Sequence, residues 1–321
     1  MGKGLGGLGP GVQVVARKQV FRNQRRDDYG KGDVQLDPDA DRLSPQGMVE
    51  YLRKTLASPS YRAPVLPSVA VELMRLTRQS QVRLAEVRQV LERDPLLAAR
   101  VLQLAQSALY SGGVPIRSLD EAISRLGLRT LEELFLQTVL SMRVFRANGY
   151  EAPMANLMVH SLATAHVARL ACRLTSIPDE YAFLCGLLHD AGMAAGLLIF
   201  SDAPSTRGAG GKAAPPPFEE VSFALEVVHE EASAILADTW GLHAEIRAVI
   251  GIHHQFKQGN RIHPLAAVLC VADWIASEAG TAIGTECDPR RADEAARHLG
   301  FSQRTLIDLG GRAREILALS Q

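Results

Sequence analysis

The chain has 321 residues, with 35 Lys+Arg against 35 Asp+Glu and 47% hydrophobic residues. That length supplies one large or two modest domains with a sizeable core, and zero net charge excludes a global electrostatic pull toward nucleic acid or an anionic membrane. The longest strongly apolar run, residues 191–200, falls short of the ~18 residues of a membrane span, and the Gly-rich opening "MGKGLGGLGPG" lacks the compact apolar stretch of a secretory signal. No membrane span is expected, and the expected location is the cytoplasm. The cysteines Cys172, Cys185, Cys270 and Cys287 are far apart and form no C-x-x-C pair, so they are expected as reduced thiols of a cytosolic protein.

Residues 1–43 are rich in Gly, Arg and Asp with little periodic hydrophobicity, which predicts a flexible tail. Its basic run "VARKQVFRNQRR" (15–26) is nearly cancelled by the acidic residues from Asp27 to Asp41, so nucleic acid is not the expected partner. From Ser44 onward apolar residues return every three or four positions, the helical period. Residues 44–65 read as a leading helix and linker. "SVAVELMRLTR" (68–78) follows Pro67 and opens on a Ser that can cap a helix. "VRLAEVRQVLERD" (82–94) sets Val82, Leu84 or Ala85, Val87 and Leu91 toward one side. "DPLLAARVLQLAQSALY" (94–110) has Asp94 as cap and Pro95 in the first turn, with Leu97, Val101, Leu104 and Ala108 in one stripe. In "SLDEAISRLGL" (118–128), Ser118 and Glu121 have capping-box spacing and Gly127 supplies a stop. "RTLEELFLQTVLSMRVF" (129–145) is a further amphipathic helix. No alternating strands and no fixed-period repeat stand out.

The Pro-, Gly- and Ser-rich stretch "SDAPSTRGAGGKAAPPP" (201–217) predicts a mobile surface loop inserted into a domain that spans 66–260. Residues 261–321 predict C-terminal helices packed on that domain, beginning with the largely buried "HPLAAVLCVADWIASEAG". The fold class is therefore all-α, a compact multi-helix domain with a C-terminal helical extension.

Residues with metal-ligand chemistry fall in order along these helices: His160, the pair His189-Asp190, His229, the pair His253-His254, and Asp273. Imidazole nitrogens and carboxylate oxygens suit Fe, Mn or Zn, and a helical bundle can aim them inward from several helices. Neighbours on a helix point ~100° apart, so an adjacent pair can serve two ions or one ion and its surroundings. The set suits one or two divalent ions, and two ions ~3.5–4 Å apart could clamp a phosphate and activate water. Taken singly, any of these histidines is more often a structural hydrogen-bonder. His166, His243, His263 and His298 show no such partner pattern and are expected to be structural or exposed.

Two stretches resemble a known family. "LPSVAVELMRL" (66–76) and "LERDPLLAARVLQLAQSALYSGGVPIRSLDEAISRLGLRTLEELFL" (91–136) are similar to the N-terminal half of an HDOD domain, the HD-related output domain of bacterial signalling proteins. The stretch from His160 through His254 resembles the HD-type half. The resemblance implies an all-α bacterial regulator acting through signalling proteins, with no established enzymatic activity. The related HD-GYP phosphodiesterases, which cleave cyclic di-GMP with two or three metals, have a ligand pattern that carries over onto His160, His189, Asp190, His229, His253, His254 and Asp273.

This chain departs from that pattern in three places. Met193 stands where a lysine assists the substrate phosphate, and a thioether supplies no cation. The Gly-Tyr-Pro signature is absent, and Asn156 stands where some trinuclear sites carry a Glu. Arg247, one turn before the His pair, is a candidate replacement contact for phosphate. The leading reading is a regulatory interaction domain with a divalent-metal site, open to a nucleotide ligand. The alternative is a metal-dependent phosphohydrolase acting on a nucleotide or cyclic dinucleotide.

Overall fold

Ser44 opens the first helix, α1 (Pro45–Ala57): its hydroxyl accepts the Gly47 N–H, Pro45 loses no bond at the first turn, and Met48, Leu52 and Leu56 point into the core. The computed structural model describes residues 44–64, 72–73, 75–76, 82–93, 95–107, 110, 115–143, 146–203, 214–259, 261–284 and 287–320. The tail expected over 1–43, the Asp94 cap and the centre of the 201–217 loop lie outside them. Of the helix expected over 68–78, the described residues Glu72, Leu73, Arg75 and Leu76 are helical.

In helices α2 (Leu84–Glu92) and α3 (Pro95–Ala105) the stripe residues Val87, Leu91, Leu97 and Val101 are buried as predicted, but at the start of α2 both Leu84 and Ala85 are exposed. Helix α4 (Leu119–Arg143) is two helical stretches joined at Gly127, whose φ of 74° is the left-handed backbone that glycine tolerates. At its start the Glu121 N–H donates to the Ser118 hydroxyl, and the Glu121 carboxylate reaches back to the Arg117 N–H. This is the expected capping reciprocity, shifted by one residue on the return bond.

The remainder forms the frame of the site. It comprises α5 (Glu151–Arg173), α6 (Ala182–Leu188), α7 (Ala191–Asp202), α8 (Phe218–Thr239), α9 (Ala244–Ile250), α10 (Pro264–Ala276), α11 (Pro289–His298) and α12 (Gln303–Ser320). Helix α5 packs against α6, α10 and α12, while α8 packs against α7, α1 and α9. A π-helical turn, Ser277–Thr281, follows α10. Two-residue strands β1 (Lys257–Gln258) and β2 (Arg261–Ile262) pair antiparallel, too short to print an alternating pattern in the sequence. Among the described residues this is the only sheet.

Two expectations change. The stretch Ala182–Asp202, α6 and α7 together, is long and apolar enough to span a membrane, longer than the run at 191–200; 94% of its window is buried inside the fold, as in the core of a soluble domain. Cys270 and Cys287 are joined in a disulfide rather than standing as separate thiols, because the chain after α10 folds back and brings their Cα atoms to 5.7 Å across 17 positions. Cys172 and Cys185 are buried thiols outside the disulfide, as expected.

Candidate metal centre

The short sequence around His189-Asp190 carries two glycines, and both are demanded by packing. A Cβ on Gly186 would lie 2.4 Å from the Ala165 backbone of α5, and one on Gly192 would lie 2.1 Å from the His229 carbonyl of α8. These close approaches wedge the break between α6 and α7 between α5 and α8. Ser233, one turn beyond His229, locks it: its hydroxyl donates to the His189 carbonyl at 2.6 Å and accepts the Gly192 N–H at 2.8 Å. His189 and Asp190 thus leave the helical repeat at a fixed turn.

Around this turn the structure gathers all the ordered residues. His160 comes from α5, His229 from α8, His253 and His254 from the turn after α9, and Asp273 from α10. Three overlapping groups have ligand atoms within 4.8 Å of one another: His160, His189 and Asp273; His189, Asp190 and His253; and His229, His253 and His254. Every member except His254 is buried.

The proton positions follow from the hydrogen bonds. Nδ1 of His189, His229 and His253 lies 2.8, 2.7 and 2.7 Å from the carbonyls of Gly186, Glu226 and Ile250. A carbonyl only accepts, so each Nδ1 carries the hydrogen and a neutral ring keeps its lone pair on Nε2. Thr281 donates to the Ala276 carbonyl and therefore accepts from His160 Nδ1, which fixes the same tautomer there. The Nε2 atoms then converge: 3.3 Å between His229 and His253, and 3.3 Å between His160 and His189. Asp190 Oδ1 lies 3.5 Å from both His229 and His253 Nε2, and Asp190 Oδ2 lies 3.3 Å from His189 Nε2.

Asp273 divides its two oxygens. Oδ2 accepts the Cys287 backbone N–H at 2.8 Å and faces His254 Nε2 at 3.1 Å. Oδ1 is buried and accepts no hydrogen bond of ordinary geometry, although His160 Nε2 is 3.1 Å away.

Burial alone would raise both carboxylates, yet the surrounding imidazoles outweigh it and hold Asp190 and Asp273 well below the usual carboxylate range. Burial pushes His229 down to about 4. At His253 burial acts the same way, but the bond to Asp190 and the charges of Glu230, Asp190 and Asp273 overcome it and raise the ring to about 9. Two buried anions among imidazole lone pairs call for positive charge, and without an ion a proton on His253 supplies part of it. The donor set and the orphaned Oδ1 fit a divalent ion of the Fe, Mn or Zn kind.

The other expected contributors are elsewhere. Arg247 Nε pairs with Asp238 at 2.9 Å instead of facing the imidazoles. Met193 is buried in the core and Asn156 is exposed. His243 and His263 cap α9 and α10 and His166 packs edge-on to Phe183, which are structural roles, while His298 ends α11 exposed. Sequence reading missed Ser233, Glu230, Thr281 and Cys287. Ser233 was findable as the i+4 neighbour of His229. Glu230, which accepts the His254 N–H, Thr281, whose hydroxyl accepts from His160, and Cys287, whose N–H donates to Asp273, make contacts that no spacing announces.

Comparisons with known proteins agree with the all-α fold. The sequence profile of the HDOD domain matches residues 63–256. Among solved structures, an HDOD domain protein of unknown function from Geobacter sulfurreducens superposes with a TM-score of 0.63 at 23% identity, covering 85% of this chain and 97% of that one. A protein from Shewanella amazonensis SB2B, described as a metal-dependent phosphohydrolase, gives 0.61 at 17% identity, covering 85% and 99%. An uncharacterized protein of Treponema pallidum is 26% identical over 222 residues, which are 65% of this chain and 41% of that protein. The chain therefore spans well under half the length of that relative.

Proposed function

The chain belongs to the HDOD domain family, and from that premise we propose that it is a cytoplasmic bacterial regulator that binds one or two divalent ions and acts on partner signalling proteins. One observation carries the metal reading: His229 and His253 each commit Nδ1–H to a backbone carbonyl, yet bring their Nε2 atoms to 3.3 Å beside Asp190. Two neutral rings so placed repel, so the pair takes a cation: a metal ion or, without one, the proton on His253. His160, His189, Asp190, His229, His253, His254 and Asp273 would hold the ions, and a bound ion would act as a Lewis acid and structural cross-link.

Burial supports the regulator over the enzyme. A phosphoester must reach the ions, and only His254 among the candidate ligands is partly exposed. The position of the phosphate-assisting lysine holds Met193, buried among apolar side chains, and Arg247 is engaged by Asp238. The phosphohydrolase reading keeps two supports, the ligand-type set and the description of the Shewanella protein.

Elemental analysis of protein purified without added metal, followed by assays on a generic phosphodiester and on cyclic dinucleotides with Mn2+ or Fe2+, tests the proposal. Stoichiometric metal without turnover is the expected result. Turnover that disappears in His189→Ala or Asp190→Ala would establish the enzyme instead. Absence of bound metal, with no binding on titration, would reduce the centre to a relic.

A further inference from the structure

The disulfide lies beside the centre, and its position relative to Asp273 is specific. Cys270 and Asp273 are three residues apart on α10, so their side chains share one face of the helix. The bridge fastens Cys287 to that face, and the Cys287 backbone N–H then donates to Asp273 Oδ2 at 2.8 Å. With Oδ2 held there and by His254, the buried Oδ1 is the oxygen left beside His160 and His189. Thr281, in the same return of the chain, holds His160 by Nδ1. Cys270 and Cys287 are both fully buried, so the contact is part of the interior and not a surface staple.

We propose that the Cys270–Cys287 disulfide is a redox latch on the metal centre, orienting Asp273 for an ion shared with His160 and His189. This rests on the metal reading above and adds regulation of the same site. A dithiol breaks the S–S bond by supplying two electrons and two protons: each Sγ leaves as a thiol, and the dithiol closes to its own disulfide. Once released, Cys287 no longer has to keep its N–H on Oδ2, and the carboxylate can rotate away from His160 and His189. Groups that orient a metal ligand are typically worth about 10–100-fold in affinity. The latch acts directly on the ion that uses Asp273, while the set of His229, His253 and His254 meets it through one contact, His254 Nε2 to Asp273 Oδ2 at 3.1 Å. Linkage makes the coupling reciprocal: a tenfold difference in affinity appears as about 30 mV in the midpoint of the bridge when the ion is saturating.

The test uses the 321-residue chain stripped with a chelator and titrated with Co2+ alone, whose visible spectrum reports both affinity and coordination. One sample stays oxidised. The other is incubated with a dithiol until alkylation and mass measurement show Cys270 and Cys287 free, then desalted under nitrogen. Reduction is expected to weaken one class of Co2+ site at least tenfold and change its spectrum, to affect any second class less, and to reverse on reoxidation. The double variant Cys270→Ala/Cys287→Ala should match the reduced protein with or without dithiol. Equal affinity in both states would overturn the latch and leave the metal reading standing. No Co2+ binding in either state would overturn the metal reading and the latch with it. Loss of helical circular dichroism on reduction would also overturn it, since the bridge would then hold the fold rather than Asp273.

Discussion

At the scale of single residues, the centre makes the metal-free protein sensitive to pH in two opposite ways. His253, raised to about 9, contributes stability below pH 6.5 that is lost as pH rises through 9, on the order of 3 kcal/mol for a shift of that size. His229, lowered to about 4, acts in the other direction: between pH 6.5 and 4 the unfolded chain takes up a proton that the folded one refuses, so stability falls with acid. The chelated protein should therefore be most stable near pH 6.5, measured as the urea midpoint at pH 5, 6.5 and 8.5. Saturating Zn2+ should abolish the alkaline loss, because the ion replaces the proton on His253. Stability that climbs from pH 6.5 to 8.5 in chelator would contradict the protonated His253. Cys172 offers a simpler check. Burial pushes its thiol up to about 12, so at pH 8 it should resist alkylation in the native protein and react only on unfolding.

At the scale of helices, glycine positions separate the packed frame from the free surface. Gly192→Ala drives a methyl into the His229 carbonyl and the Ser233 N–H. Overpacking of this kind costs about 1–3 kcal/mol, and because α8 must shift to relieve it, the same variant should bind metal more weakly. Gly311→Ala on α12 meets nothing within 4 Å and should instead raise stability by up to about 1 kcal/mol. Thermal melts of the two variants with and without Zn2+ measure both effects, and a neutral Gly192→Ala would refute the close approach. The helices themselves were legible because their apolar periods and caps are local. The two-residue hairpin and the return of the chain after α10 were not, since neither has a repeat long enough to read.

At the scale of the whole molecule, one ion-pair network ties the helices before residue 145 to those that hold the centre. Arg169 on α5 pairs with Glu133 of α4 and lies over the Phe183 ring, while Arg129 of α4 reaches Asp179, which Arg173 also meets. Burial draws the Arg169 guanidinium down to about 10, so it depends on its partner. Glu133→Ala should cost about 2 kcal/mol, between the worth of a surface pair and a buried one. Hydrogen exchange should quicken in α4 while α5 and α10 keep their protection. Uniform quickening would instead mean that the network supports the whole fold at once.

The sequence by itself determined the residue types and their order: the all-α class, the family resemblance, and the seven candidate ligands from His160 to Asp273. These are properties of local period and motif. Only the tertiary structure decided that Nε2 of each buried ring faces inward, that Arg247 turns to Asp238, and that Cys287 reaches both Cys270 and Asp273. Such facts depend on which carbonyl, carboxylate or N–H lies opposite a side chain, and that is set by how distant helices approach one another, which spacing along the chain does not encode.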